Sequence, residues 1–122
     1  MKKNLENGKL RPCPASPNCV SSQSSDKDHL VEPLKYQDSR AQARDRLIAV
    51  IQAMDRARIS ELQDDYIHVE FTSALFRFVD DVEFYFPAEA KVIEVRSASR
   101  MGYYDFGVNR RRVEQIRAEF NK

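Results

Sequence analysis

No apolar run in this 122-residue chain approaches the roughly 20 residues that span a bilayer. The opening MKKNLENGKL has a basic start but lacks the apolar stretch of a secretory signal. As written, the chain reads as soluble and cytoplasmic, unless an export leader was trimmed from it. An excess of charge of one sign is missing too: 20 basic residues stand against 19 acidic ones, a formal net charge of +1. A general polyanion binder shows a basic excess on one face, so nucleic acid is not an expected partner. Also absent are a Gly-rich phosphate loop, a Walker motif, a helical zinc-protease motif and a dinucleotide fingerprint. No cofactor is expected.

Cysteine and histidine are scarce. Cys13 and Cys19 bracket PASPN, a short loop stiffened by Pro14 and Pro17. Such a loop can bring two thiols together, and a structural role, reduced or disulfide-bonded, is the leading reading. A structural zinc would need His29 and His68, the only histidines, to complete its ligand set. A nucleophilic Cys19 served by one of those histidines has no local signature to support it.

What is present fits one domain, long enough to bury roughly two-thirds of its unfolded surface around a single core. Residues 1–38 carry Pro12, Pro14, Pro17, Pro33 and the polar run SSQSSDKD without sustained periodicity. They read as an irregular arm of the same domain, packed through Leu30, Val31, Leu34 and Tyr36. The remaining residues, 39–122, form the core. Ala43, Leu47, Val50, Ile51 and Met54 recur at helical spacing behind Ser39 or Asp38 as N-cap, and the helix is expected to end near Ala57.

Four segments of strand character follow: ARISELQ, YIHVEFTS, RFVDDVEFYF and KVIEVRSAS. Their linkers are too short for the crossover that parallel neighbours require, which predicts an antiparallel meander. A second helix, capped by Asn109, buries Val113, Ile116 and Phe120. The expected fold is α+β: a four-stranded antiparallel sheet, two helices on one face and an irregular N-terminal arm.

Period-two alternation turns Ile67, Val69, Phe71, Val82, Phe84, Phe86, Ile93 and Val95 inward. The opposite face carries Tyr66, His68, Glu70, Asp81, Glu83, Tyr85, Glu94 and Arg96, a solvated surface on the plain reading, with cross-strand pairs such as Arg96 with Glu83. Asp80 breaks the pattern by falling inward between Phe78 and Val82, where a carboxylate needs a partner.

Arg110, Arg111 and Arg112 sit in the first turn of the second helix, the end where the macrodipole disfavours cations. Three together break a local rule, and an anion must compensate. An internal solution has Arg96 or Arg100 clamping Asp80 or Asp81, with Asp105 as another carboxylate at hand. An external one has Arg96, Ser97, Ser99, Arg100, Asn109, Arg110 and Arg111 holding a phosphate, sulfate or carboxylate at the helix start.

These residues also carry a family resemblance. RPCPASPNCVSSQ, FRFVDDVEFYF and VRSASRMGYYDFGVNRRRVEQIR, in that order from Leu10 to Phe120, resemble the bacterial and plastid domain-of-unknown-function family numbered 1499. The resemblance implies no activity. It implies that the matching positions form one site or scaffold: Cys13, Pro14, Pro17, Asn18, Cys19, Ser21, Ser22, Asp80, Asp81, Glu83, Arg96, Ser97, Ser99, Arg100, Gly102, Asp105, Gly107, Asn109 and Arg110.

The functional expectation is a non-catalytic domain that binds a small anion or an acidic protein segment at the arginine cluster. Its alternatives are a structural or interaction domain with internally paired arginines, whose contact surface lies elsewhere, as at Tyr103 and Tyr104, and a metal-dependent hydrolase using Asp81 and Glu83.

Overall fold

The computed structural model describes residues 5–122. Their order is β1 (Leu5–Glu6), β2 (Lys9–Leu10), β3 (Cys19–Ser21), β4 (Leu34–Lys35), α1 (Arg40–Gln52), β5 (Ala57–Leu62), β6 (Tyr66–Thr72), β7 (Val79–Tyr85), β8 (Val92–Ser99) and α2 (Val108–Phe120). Strands β5 to β8 form the expected meander, each antiparallel to the next. Both helices pack over the apolar face, burying Ala43, Leu47 and Ile51 of α1 and Val113, Ile116 and Phe120 of α2.

The four-strand expectation is too small. The main sheet has six strands, and a separate two-stranded hairpin stands beside it. Both extra strands come from the arm and add to the outer edge of β8 one after the other: β3 pairs with Arg96–Ala98 and β4 with Val92–Ile93. A bare β8 edge would present unpaired N–H and C=O groups, and the arm supplies their partners. The hairpin closes through Asn7 and Gly8, both at positive φ, the backbone that a two-residue turn of this hand requires.

Other boundaries shift for local reasons. Ser39 caps α1 through a reciprocal capping box with Gln42, as its position suggests, but α1 stops at Gln52, with Ala53 as C-cap. Arg56, at φ 55°, then turns the chain into β5. Asn109 is not the cap of α2. That position belongs to Gly107, and Asn109 lies inside the helix with no exposed surface. Val31, Leu34 and Tyr36 pack as expected, whereas Leu30 is exposed.

Candidate functional site

The sheet divides the motif residues into two clusters. On the helix side, Asn109 joins three parts of the chain. Its Oδ1 accepts from Ser97 Oγ at 2.6 Å, and its Nδ2 donates to Ser99 Oγ at 2.9 Å, Asp105 Oδ2 at 2.9 Å and the Asn18 carbonyl at 3.3 Å. Asn18 in turn donates to the Gly102 carbonyl at 2.8 Å. One amide thus fastens the arm and the β8–α2 loop to the sheet.

Asp105 serves the helix start. Its carboxylate accepts from the backbone N–H groups of Gly107 at 2.9 Å and Asn109 at 3.1 Å, and the Asp105 carbonyl takes Val108 N–H. Burial pushes this carboxyl up, but the bonds from the Asn109 side chain and the two backbone amides outweigh it and hold it below the usual carboxylate range. The anionic compensation expected at this helix start is therefore internal at these amides. Arg111 N–H is also taken, by the Gly107 carbonyl.

Asp80, the inward carboxylate, finds its partner on α2 and not on β8. Arg112 Nη1 lies 2.7 Å from Asp80 Oδ2, and the guanidinium sits 4.8 Å from the Phe71 ring centre. Helix α2 is bolted to β7 by this pair.

The opposite face is not solvated throughout. Residues 8–13 lie over part of it, with Leu10 buried and the Pro12 carbonyl 3.5 Å from Arg96 Nη2. Underneath, Glu83 has no exposed surface and Arg96 is 6% exposed. Glu83 accepts from Tyr66 Oη at 2.5 Å and lies 3.5 Å from Arg96 Nη1. Burial pulls the Arg96 guanidinium down from its ordinary value, opposed chiefly by Glu83. The Arg96 Nε is buried without a hydrogen-bond partner among the described residues.

Cys13 and Cys19 form a disulfide, Cα atoms 5.7 Å apart, so one of the two structural readings of these cysteines holds. It ties Pro12 and its covering segment to β3. Further along, Ser22 bonds Glu94 and the backbone of Val95, locking the arm to β8.

Nearer the rim, Arg100 clamps Asp81 with two bonds of 3.0 and 2.7 Å and reaches Glu70 at 3.2 Å, while His68 Nε2 lies 2.8 Å from Asp81. Burial pushes the Asp81 carboxyl up, but His68 and Arg100 outweigh it and hold it well below the usual carboxylate range. The Asp81 bond in turn raises His68, against the effect of burial. Arg100 clamping Asp81 is the internal pairing that the sequence suggests. No group of three potential metal ligands occurs among the described residues.

The other two arginines of the helix start differ from Arg112. Carboxylate pairs take up Arg46, Arg58, Arg96, Arg100, Arg112 and Arg117. Among the described residues Arg110 bonds only the carbonyls of Leu30 and Asp28, and Arg111 only that of Phe106. Beside Arg111 the chain exposes what the sequence reading took up only at Tyr103 and Tyr104. Leu75, Phe76 and Phe78 in the β6–β7 turn, and Met101, Tyr103, Tyr104 and Phe106 in the β8–α2 loop, are all 59–79% exposed. Arg100 N–H donates to the Val79 carbonyl at the end of the β7–β8 ladder. Phe78 and Met101 follow immediately, so the two loops leave neighbouring strands at one end of the sheet. In the sequence, MGYYDF shows apolar residues around the loop signal Gly102, whereas Phe78 reads as the inward-facing start of RFVDDVEFYF; the strand instead begins at Val79 and leaves Phe78 outside the core.

Fold and site together define a small α+β domain in which an antiparallel sheet, two helices and a disulfide-tied arm are cross-linked by buried polar residues. Residues 9–120 match the family described as a protein of unknown function, DUF1499, and the chain belongs to that family. No curated protein matches it. No helix among the described residues is long and apolar enough to cross a membrane.

Proposed function

We propose that this is a non-catalytic interaction domain whose arginines divide between two tasks. Arg96, Arg100 and Arg112 hold the fold through Glu83, Asp81 and Asp80. Arg110 and Arg111, left without carboxylates, serve an anionic partner that docks against the aromatic end. The carrying observation is the exposure of seven large apolar side chains on two adjacent loops, a concentration that marks contact surfaces in folded proteins. Backbone strain supports it. Phe106 sits at φ 55°, an uncommon conformation for a bulky residue, and is 75% exposed. A side chain that gives the core so little is held there for another purpose.

The test is equilibrium unfolding of a variant with Phe76→Ser, Phe78→Ser, Tyr104→Ser and Phe106→Ser. If the aromatic end serves contact and not folding, unfolding free energy stays within about 1 kcal/mol of the parent. A loss beyond about 3 kcal/mol would place these side chains in the packing of the domain and defeat the reading.

A further inference from the structure

Resting on that reading, we infer that the partner is the surface of an anionic lipid bilayer, into whose interface the two aromatic loops dip. The composition of the end suits this medium. Leu75, Phe76, Phe78, Met101 and Phe106 are wholly apolar or nearly so, and Tyr103 and Tyr104 add rings whose hydroxyls favour the headgroup level. Phe76 and Phe78 stack with ring centres 5.6 Å apart, and Tyr104 meets Phe106 edge-on at 4.8 Å. Each loop therefore presents a paired aromatic tip.

Backbone satisfaction matters as much, because polar groups that enter the acyl boundary must carry their partners with them. In the first loop Ser73 N–H donates to the Phe78 carbonyl, and Ser73 Oγ accepts from Phe78 N–H. In the second, the Asp105 carbonyl takes Val108 N–H and the Phe106 carbonyl takes Arg111 Nη1. Both turns are thus partly closed on themselves.

Charge selects the anionic surface. Between Ser73 and Phe78 the only charged residue is Arg77, which is exposed and has no carboxylate partner among the described residues. From Met101 to Arg111 the charges are Asp105, Arg110 and Arg111. The single carboxylate is turned inward onto two backbone amides and the Asn109 side chain. Two exposed arginines without carboxylate partners among the described residues, Arg77 within the first loop and Arg111 bonded to the Phe106 carbonyl of the second, with the acid turned inward, are complementary to phosphatidylserine or a similar headgroup. An acidic protein groove would match the charge but has no need of two separate self-closed tips.

The experiment is co-sedimentation of the whole chain with vesicles of phosphatidylcholine alone and of phosphatidylcholine mixed with phosphatidylserine. The parent should bind the mixed vesicles and bind the neutral ones more weakly. Phe76→Ser with Phe78→Ser and Phe106→Ser should abolish binding. The double variant Arg77→Ala, Arg111→Ala, which leaves the rings in place, should weaken binding to the mixed vesicles about tenfold or more and hardly alter the neutral case. No binding by the folded parent would overturn the lipid inference, and so would binding that the ring variants leave intact. Self-association that the same ring substitutions abolish would also overturn it, by giving the surface to a second copy. In any of these cases the interaction reading still stands if the aromatic variant unfolds like the parent, and falls if it does not.

Discussion

Asn109 shows how much one residue can hold. Its amide satisfies the buried Ser97 hydroxyl and reaches Asn18, Ser99 and Asp105. Asn109→Ala would leave Ser97, which has no exposed surface, without its acceptor. We expect a loss of about 2–4 kcal/mol in urea unfolding, set by that orphaned hydroxyl and the lost ties. His68 gives the domain a pH response of known sign. The Asp81 bond raises the His68 pKa in the folded state. Its contribution is complete below the ordinary histidine value of about 6.5 and disappears as pH rises through the raised one. His29, raised chiefly by the Ser16 carbonyl, acts in the same direction. Melting should therefore fall between mildly acidic and mildly alkaline buffer, and His68→Gln should reduce that fall. A variant with an unchanged pH profile would show that His68 and Asp81 do not pair. At this scale alternation alone places Asp80 inward, but it places Phe78 there too, which lies before the start of β7 and is exposed. The sequence could not show that Asn109 is a cross-link and not a cap, because its partners Asn18 and Ser97 lie 91 and 12 positions away.

Among the elements, the arm is where sequence and structure part most. The four meander strands were legible because each is long enough for alternation to repeat. Strands β3 and β4 have three and two residues and are set by the β8 edge they complete, so no period can reveal them. The Asn7-Gly8 pair is a hairpin signal in its own right, but the strands it joins have two residues each, too few for alternation to repeat. The disulfide anchors this arm. Replacing both cysteines by serine should lower stability by about 2 kcal/mol, from the closure entropy of so short a loop. Amide exchange should accelerate first at Cys19–Ser21 and at residues 96–98, their partners on β8. Uniform acceleration across the sheet would mean that the arm does not open as a unit.

For the molecule as a whole, the cluster that stands out in the sequence, Arg96 to Arg112, resolves into residues that face inward and residues that face out. The same charge has opposite consequences in the two positions. Arg112 is paired with Asp80, both side chains less than a fifth exposed, and its removal strands a carboxylate beside Phe71. Arg77 and Arg111 are exposed without carboxylate partners among the described residues. The direct test of this division is urea unfolding of Arg112→Ala beside Arg77→Ala and Arg111→Ala. We expect the first to cost about 2–4 kcal/mol, and each of the others to stay within about 0.5 kcal/mol of the parent. Equal losses in all three, or a neutral Arg112→Ala, would contradict the division of the arginines between fold and contact surface.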